Sequence, residues 1–291
     1  MSNETTNPVL QVKGLKYAIK GAEILKGIDF EVKAGDVVAL TGFAGCGKTT
    51  LLRALPLFFV PDAGEIHFDG NLIFKNETAE VKGQIDELKT KGKYDKSEMK
   101  ALKQRLKISK KSVKHAKDTS LNGLTSYRQN YALTFQSAPL YPNMTVLKNI
   151  TFSVILAKTM SEREANEKAL ELLQKVGLEG KAELKPHQLS HQEKHLAGLL
   201  RAFMKEPKIL LCDDPVTPLP EDAAKIIMTM LDEYAKAGTP IIIAANDIAF
   251  AKDFVNRVLV MEDGVLKEKT PEEYFSNKPE NDGSHYIPNL M

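Results

Sequence analysis

The stretch TGFAGCGKTT, residues 41–50, decides the fold, because it contains the full pattern Gly-x-x-x-x-Gly-Lys-Thr from Gly42 to Thr49. It directly follows the apolar run DVVAL, which is typical of a buried strand, and it precedes a segment that predicts a helix over residues 48–57. A strand, a glycine-rich turn and a helix in this order distinguish a phosphate-binding loop from a chance match. The sequence therefore predicts that this turn binds phosphate groups.

The backbone and the side chains of this turn suit phosphate binding in different ways. The glycines let the backbone curl so that its N–H groups point at phosphate oxygens, next to the partial positive charge of a helix N-terminus. We expect Lys48 to reach the β- and γ-phosphates and the Thr49 hydroxyl to bind Mg²⁺. The predicted nucleotide-binding residues are Gly42, Phe43, Ala44, Gly45, Cys46, Gly47, Lys48, Thr49 and Thr50.

The apolar run ILLCD ends on Asp213, an acidic residue at the tip of a predicted strand. A carboxylate in this position is typical of a Mg²⁺ site, in which it holds the ion through a water molecule. A helix cap or turn former is the other interpretation of an aspartate at a strand end. The phosphate loop upstream favours the Mg²⁺ site.

Buried apolar strands alternate with helical segments along the second half of the chain. This alternation predicts an α/β fold whose mostly parallel sheet carries helices on both faces. The first 70 residues show short strands and turns instead. The strands of the second half are predicted at YALTF (131–135), KILLCD (208–213), PIIIAA (240–245) and RVLVME (257–262).

The composition is ordinary for a soluble globular protein of 291 residues, with 43% hydrophobic and 27% charged residues. No apolar run approaches the roughly 20 residues that cross a bilayer, and the polar N-terminus lacks the layout of a signal peptide. Two cysteines, Cys46 and Cys212, are too few for a disulfide framework and fit a reducing compartment. We therefore expect a cytoplasmic protein.

A basic segment is set into a mildly acidic chain. Residues 74–117 contain 14 Lys and Arg and 6 Asp and Glu, a balance of +8, so a net charge of −6 falls on the rest. Apolar residues recur at helical spacing on both sides of a break at residues 92–95, which predicts a two-helix hairpin from about Phe74 to Thr119. These apolar residues are Val81, Ile85 and Leu88, then Met99, Leu102, Leu106 and Val113.

Three interpretations of this hairpin stay open. It is a solvated arm, a docking site for an acidic protein partner, or a contact surface for anionic lipid or nucleic acid. Tyr94 is the only aromatic residue between residues 75 and 119, which argues against base stacking. Nucleic acid is therefore not expected as a partner.

The order of these motifs resembles the ATP-binding cassette (ABC) family, and most of all the ATP-binding subunits of polar amino-acid importers. The resemblance implies one nucleotide-binding domain over residues 1–291, with a P-loop NTPase core, an antiparallel β subdomain and a helical subdomain over residues 143–206. It leaves residues 74–125 as a lysine-rich helical insertion, because the family has a short connection there. The similar segments are TFQSAPLYPNMTVLKNI (134–150), EKALELLQKVGLEGKAELKPHQLS (167–190) and RVLVMEDGVLKEKTPEEYFSN (257–277).

The resemblance also implies cofactors and partners. ATP and Mg²⁺ are the implied cofactors, with Gln136 binding Mg²⁺ and the attacking water. Subunits of this family act as dimers beneath transmembrane permease subunits, and ATP lies between one subunit's phosphate loop and the other's signature helix. We therefore expect permease subunits and a second ABC subunit, in a homodimer or heterodimer, at the cytoplasmic face of the inner membrane. The implied metal-binding residues are Thr49, Gln136 and Asp213.

Two residues depart from the family pattern where the chemistry takes place. Asp214 stands in place of the catalytic glutamate, and its missing methylene draws the carboxylate back by about 1 Å, a displacement that costs roughly 10²-fold in rate. Asn246 stands in place of the switch histidine, and its amide donates a hydrogen bond but carries no positive charge. The predicted catalytic residues are Asp214, Gln136 and Asn246.

Two further departures affect the contacts with a partner subunit and with the nucleotide base. The loop that is usually Ser-Ala-Leu-Asp reads TPLP over residues 217–220, so two prolines stiffen it and the aspartate is missing. Ile19 takes the position of the aromatic residue on which adenine stacks, with Tyr17 two residues earlier.

The signature motif, usually Leu-Ser-Gly-Gly-Gln, reads LSHQE over residues 189–193. Its glycines let the backbone approach a γ-phosphate, whereas His191 and Gln192 would crowd that approach and Glu193 would bring a carboxylate near it. Two interpretations stay open. Ser190 and Glu193 form the capping box of a plain helix, or Ser190 still donates to ATP in a weakened signature.

The altered positions follow a pattern. The residues expected to bind nucleotide within one subunit match the family pattern, whereas the signature motif and the loop at residues 217–220, which act across a dimer, do not. The two residues expected to take part in the chemistry, Asp214 and Asn246, are each a conservative substitution of the family residue. We expect the Mg-ATP-binding subunit of an ABC transport complex, similar to amino-acid importers, with slow or partner-dependent hydrolysis. The alternative is a regulatory or scaffold subunit of a heteromeric complex that binds nucleotide without turnover. A non-transport P-loop enzyme such as a kinase has little support.

Overall fold

The computed structural model describes residues 7–91, 95–117, 124–135 and 139–276. Within this part of the chain no helix is both long and apolar enough to span a bilayer. Contacts divide the chain into two compact units. The first consists of residues up to 34, residues 42–129 and residues 259–268, and the second consists of residues 35–41, 130–258 and 269 onward. The expectation of a single domain over residues 1–291 stays a prediction.

The first unit contains an antiparallel sheet, as predicted for the β subdomain. Its strands are β1 (Leu10–Ile19), β2 (Ala22–Val32), β4 (Ala63–Phe68) and β5 (Asn71–Asn76). They pair in the order β2-β1-β4-β5. Alternating side chains of β1, such as Leu10 and Val12, are buried, which is the pattern of a sheet with one face on a core.

The second unit contains the predicted parallel sheet. Its strands are β3 (Val37–Thr41), β6 (Tyr131–Thr134), β7 (Ile209–Asp213) and β8 (Ile241–Ala244). They pair in the order β3-β8-β7-β6, and every residue of β3, β7 and β8 is buried. Complete burial is expected of a parallel sheet that helices cover on both faces.

Three packed helices confirm the helical segments predicted between residues 143 and 206. In the second of them Ala165, Ala169 and Leu172 are buried at three- and four-residue spacing, so one apolar stripe faces its neighbours. The helices are α5 (Val146–Leu156), α6 (Glu162–Lys175) and α7 (His191–Phe203).

The remaining elements precede or follow these strands along the chain. Helix α1 (Lys48–Ala54) begins at the end of the glycine-rich turn, and α4 (Thr125–Gln129) precedes β6. After β7 come α8 (Glu221–Lys236), β9 (Arg257–Glu262), β10 (Val265–Lys269) and α9 (Pro271–Ser276). The boundary between the two units falls within β9.

The lysine-rich segment forms the predicted hairpin of helices α2 (Thr78–Thr90) and α3 (Lys96–Lys117). The helices belong to the first unit and pack on each other through a small apolar cluster. The buried members are Val81 and Ile85 of α2 and Met99 and Leu102 of α3, with Leu88 and Leu106 packed against them. Tyr94 lies outside the described residues.

The predicted start of the hairpin is wrong by a few residues. Residues 74–76 were expected to be helical, but they complete β5. Phe74 is fully buried and pairs with Ile66 of β4. Burial of this large aromatic side chain in the sheet outweighs the helical pattern that the following lysines suggest.

Candidate functional site

The predicted phosphate loop depends on glycine at both ends of its motif. Gly42 has a φ of 148°, and a Cβ atom there would lie 2.2 Å from the carbonyl oxygen of Met261. Gly47 has a φ of 114°, forms the N-cap of α1 and would bring a Cβ atom 3.2 Å from Ile24. Residues with side chains rarely adopt these φ values. The spacing of the motif therefore has a geometric reason in this chain.

Lys48 begins α1, and its side chain turns back over the loop. The ammonium group donates to the carbonyl oxygen of Gly42 at 2.7 Å and to that of Phe43 at 3.0 Å, and it lies 3.7 Å from Cys46 Sγ. Lys48 is only 9% exposed. A positive charge is thus held inside the curve of the loop, where it would attract an anionic phosphate group.

The tip of the loop is open to solvent. Phe43 is 86% exposed, and Ala44 and Gly45 are also exposed. Thr49 and Thr50 are half-buried in the first turn of α1. The Thr49 hydroxyl is the kind of oxygen ligand that Mg²⁺ binds, so the loop offers both a charge for phosphate and a ligand for the ion.

Asp213 and Asp214 lie at the carboxyl end of β7, at the edge where open parallel sheets bind ligands. Asp213 pairs in register with Ala244 of β8, and its backbone N–H donates to the Thr134 hydroxyl at 3.3 Å. Both aspartates are buried, at 7% and 9% exposure. The two predicted acidic residues, which are adjacent in the sequence, are therefore both buried at this edge of the sheet in the second unit.

The position of Asp214 is fixed by its backbone and by its side chain. Its N–H donates to the carbonyl oxygen of Ala244 at 2.7 Å, and its carboxylate accepts a hydrogen bond from the Thr217 hydroxyl. Its φ of 54° lies in the left-handed region, which aspartate tolerates better than most residues with a side chain. The carboxylate is therefore held by its own loop.

Asn246 is exposed just beyond the end of β8. The backbone carbonyl oxygen of Asn246 accepts a hydrogen bond from the Thr41 hydroxyl at 3.2 Å, so the backbone at Asn246 is bonded to the end of β3. Since β3 and β7 both pair with β8, Asn246 and Asp214 lie at the same edge of the sheet. Gln136, the third predicted catalytic residue, lies outside the described residues, and its role stays a prediction.

The capping box at the start of α7 is confirmed. The Ser190 hydroxyl accepts from the backbone N–H of Glu193 at 3.3 Å, and Glu193 Oε2 accepts from the backbone N–H of Ser190 at 2.8 Å. His191 and Gln192 are exposed in the first turn. Since a capping serine can also face a nucleotide, a weakened signature stays a prediction.

Lys181 neutralises the carboxylate of Glu193, and no pattern in the sequence indicated this partner. Lys181 forms an ion pair with Glu193. The Lys181 ammonium and the Ser190 N–H together hold the pKa of Glu193 below its ordinary value. The negative charge that was expected near a phosphate group is therefore neutralised within the subunit.

We expect Glu193→Gln to lower the free energy of unfolding near neutral pH, and we expect this effect to vanish in acid. The folded-state pKa of Glu193 lies below its usual value of 4.5. Its stabilising effect is therefore present above that value and is lost as the pH falls through the lowered pKa. Chemical denaturation of both proteins at neutral pH and at about pH 3 measures the difference. Gln192→Ala, in the same turn, is the control, and a difference that persists unchanged in acid would contradict the assignment.

The loop after β7 leads into α8 at Pro220. Pro220 forms the N-cap of α8 without a side-chain hydrogen bond. An aspartate at this position would accept from an N–H group of the first helical turn. With proline at this position, α8 begins without a side-chain cap.

His195 is a further residue of this region, and no motif in the sequence indicated it. It is buried on α7, and its Nε2 donates to the carbonyl oxygen of Pro215 at 2.9 Å. This bond links α7 to the loop that begins with Asp214. The sequence feature that could have identified His195 is its position next to Leu196 and four residues before Leu199, which places it on the buried face of the helix.

The residues expected near adenine lie in the first unit. The Tyr17 ring stacks on Phe59, with centroids 3.9 Å apart and an interplanar angle of 20°. This stack covers one face of the Tyr17 ring. Ile19 is 46% exposed, and its position beside adenine stays a prediction.

Comparison with known proteins gives consistent matches. The family described as ABC transporter matches residues 25–101 and 96–217. A probable amino-acid ABC transporter ATP-binding protein of Haemophilus influenzae is 32% identical over 270 residues, which cover 92% of this chain and 90% of that protein. The probable amino-acid import ATP-binding protein YxeO of Bacillus subtilis is also 32% identical, and 94% of each chain is covered.

Solved structures give the same fold. The chain is similar to cbiO1 from Clostridium perfringens, part of the ABC transporter complex cbiONQ, with a TM-score of 0.66, 25% identity, and 93% of this chain and 92% of that one covered. It is also similar to the ATP-binding cassette MJ0796 bound to ADP and Pi, with a TM-score of 0.68, 24% identity and coverage of 90% and 98%. These likenesses confirm the predicted α/β cassette fold.

Proposed function

The chain belongs to the ABC transporter family, and we propose that it is the Mg-ATP-binding subunit of an amino-acid transport complex with weak or partner-dependent hydrolysis. One contrast carries the proposal. The phosphate loop is complete and holds Lys48 inside its curve. In contrast, the side chain of Asp214 is one methylene shorter than that of glutamate, and its carboxylate accepts a hydrogen bond from Thr217.

The residues that would hold Mg-ATP within the subunit suit this ligand. Lys48 supplies a positive charge to the loop, and its ammonium would neutralise phosphate oxygens. The Thr49 hydroxyl and the Asp213 carboxylate are oxygen ligands of the kind that Mg²⁺ binds, and Gln136 would complete this set. ATP supplies the phosphoanhydride bond, and these residues bind and orient it.

Weak hydrolysis is supported by the groups that would act on the attacking water. The Asp214 carboxylate would accept the proton of this water, but it stops about 1 Å short of the position a glutamate would reach. It also accepts a hydrogen bond from Thr217, which would compete with the water. Asn246 would donate to a γ-phosphate oxygen without adding a positive charge.

The dependence on a partner is supported by the altered signature and by the loop at residues 217–220. Exposed side chains of His191 and Gln192 occupy the first turn of α7, where glycines would leave the backbone open. Pro220 removes a carboxylate and an N–H group from the following loop. A homodimer would carry both changes at each nucleotide site, whereas a heterodimer with an intact subunit would distribute them between two different sites.

The remaining partners follow from the family and from the named relatives. The two relatives described above are named for amino-acid transport, which supports an amino acid as the transported substrate. Permease subunits would provide the membrane passage. The chain would then be a peripheral subunit on the cytoplasmic face of the cell membrane.

Two measurements on the same preparation test the proposal. Titration with Mg-ATP measures binding, and steady-state phosphate release measures turnover with and without the subunits that co-purify from the native membrane fraction. We expect clear binding, slow turnover of the isolated chain and faster turnover in the complex. Turnover of the isolated chain at a rate ordinary for the family would contradict it.

A non-hydrolysing regulatory or scaffold subunit is the second candidate. The observation that favours it is the bond between Thr217 and the Asp214 carboxylate, since an engaged carboxylate is a poor base for water. Under this alternative the chain binds Mg-ATP but adds no phosphate release, even in the presence of its partners.

A further inference from the structure

Helix α3 of the lysine-rich hairpin has three distinct faces. Its apolar face packs on α2 through Met99, Leu102 and Leu106. A polar face contacts the edge strand β5 and its C-terminal neighbours. The third face is exposed and consists of lysines.

The polar face fastens α3 to the edge of the antiparallel sheet. The backbone N–H of Lys75 donates to the Ser112 hydroxyl at 2.9 Å, and that of Glu77 donates to the Ser109 hydroxyl at 3.0 Å. Ser109 is fully buried, and Arg105 forms an ion pair with Glu77 at 2.7 Å. Edge strands present unpaired backbone groups that need a cover. The hairpin is therefore a docked element of the first unit, and its third face is held in a fixed orientation.

The third face is a continuous stripe of positive charge, called here the lysine stripe. At 100° per residue its members fall within about 120° of the helix circumference, over a helix about 33 Å long. All are exposed, and among the described residues none of them forms an ion pair. The members are Lys96, Lys100, Lys103, Lys107, Lys110, Lys111, Lys114 and Lys117.

The lysine stripe differs from an ordinary solvated helix face. In α6 the exposed charges have mixed signs and form pairs such as Arg163–Glu167 at 2.9 Å. The only acidic residue of α3, Glu98, lies on the opposite side of the helix from the stripe. Like charges at four-residue spacing, such as Lys103 and Lys107, destabilise a helix. Eight of them on one face therefore indicate an anionic binding partner.

The composition of the stripe indicates the kind of partner. Protein interfaces are enriched in arginine and aromatic residues and depleted in lysine, and the stripe contains lysine alone. Lysine is a strongly hydrated point charge that needs no fixed partner geometry, which suits a surface of mobile anionic headgroups. Ile108 lies about 60° around the helix beyond the edge of the stripe and is 49% exposed, so an apolar side chain is available on the flank of the lysine face.

We propose that the lysine stripe of α3 binds the anionic phospholipid headgroups of a membrane surface. This contact would hold the subunit at the bilayer independently of its permease partners and of nucleotide. Each lysine near an anionic bilayer strengthens binding about fivefold. Clusters of four to eight such residues on a helix are typical of anionic lipid recognition.

Vesicle co-sedimentation of the purified full-length chain, without nucleotide, tests the proposal. The vesicles contain phosphatidylcholine alone or about one-third phosphatidylglycerol. The stripe variant carries Lys103→Gln, Lys107→Gln and Lys110→Gln. The matched control carries Lys82→Gln, Lys89→Gln and Lys91→Gln at exposed positions in or next to α2. Both variants lose the same charge, and glutamine has nearly the same helix propensity as lysine.

We expect the wild-type chain to bind the anionic vesicles and not the neutral ones, with weaker binding as salt rises. The stripe variant should bind about 100-fold more weakly, and the control should stay close to the wild type. Equal binding to neutral vesicles, or equal loss in both variants, would overturn the proposal. So would stripe-dependent binding of poly-glutamate without vesicle binding, which would assign the surface to an acidic protein. Since no nucleotide is added, these outcomes are independent of the ATP site.

Discussion

Asp214→Glu is expected to raise steady-state phosphate release by up to about 100-fold. The added methylene would carry the carboxylate forward by about 1 Å, to the position that a catalytic glutamate takes in this family. It would also move the carboxylate away from the Thr217 hydroxyl that now engages it. The gain should be visible in the isolated chain and larger in the assembled complex.

The same variant should be less stable than the wild type. Asp214 has a φ of 54°, and a glutamate in this left-handed conformation costs about 1 kcal/mol more, because aspartate forms local hydrogen bonds that glutamate does not. Thermal unfolding measured on the same preparations should show a transition lower by a few degrees. Faster phosphate release together with a lower unfolding temperature would show that aspartate at position 214 stabilises the fold at the expense of the hydrolysis rate.

Asp214→Asn is the control for this substitution, since it keeps the side-chain length and removes the base. It should bind Mg-ATP and show no phosphate release above background. If Asp214→Glu binds ATP and turns over no faster than the wild type, Asp214 does not occupy the catalytic position. The regulatory or scaffold alternative would then be the better description of the chain.

Lys48→Ala is expected to weaken Mg-ATP binding by about 10- to 100-fold, the effect of one lost charge-assisted hydrogen bond in a partly buried site. The Lys48 ammonium also donates to the carbonyl oxygens of Gly42 and Phe43, so the variant loses contacts that shape the loop. Calorimetric titration with a non-hydrolysable ATP analogue and Mg²⁺ measures the change.

Lys252→Ala removes the same charge at an exposed position of the second unit and should leave this affinity unchanged. Comparison of the two variants separates the local contacts of Lys48 from the effect of net charge. Retention of wild-type affinity by Lys48→Ala would show that nucleotide binds elsewhere, and it would remove the basis of the proposed function.

Much of the fold was predictable because its signals are local. The strand, the glycine-rich turn and α1 follow one another within residues 37–54, and the capping box of Ser190 and Glu193 is complete within four residues. The start of the hairpin was not predictable from its lysines. Phe74 belongs to β5 through its pairing with Ile66 and its burial in the sheet, and both depend on contacts outside the basic segment.

Some residues of the candidate site could likewise be predicted from the local sequence, and others could not. The residue types at Lys48 and Asp213 indicated phosphate and metal chemistry from their order, and the role expected of Asp214 came from the family resemblance. The ion pair that neutralises Glu193 joins it to Lys181, twelve positions earlier, and the bond from His195 reaches Pro215, twenty positions later. No periodicity relates such positions, because a turn of the chain and the packing of α7 bring them together.

The sequence by itself determined that this protein has a glycine-rich turn with the spacing of a phosphate loop, an α/β core and a strongly basic hairpin, since motif spacing, hydrophobic periodicity and charge are properties of neighbouring residues. Only the tertiary structure decided that the Asp214 carboxylate is engaged by Thr217, that Glu193 is neutralised by Lys181, and that α3 is fastened to β5 with its lysines outward. The physical reason is that hydrogen bonds, ion pairs and burial depend on distances in space, which the folded backbone sets.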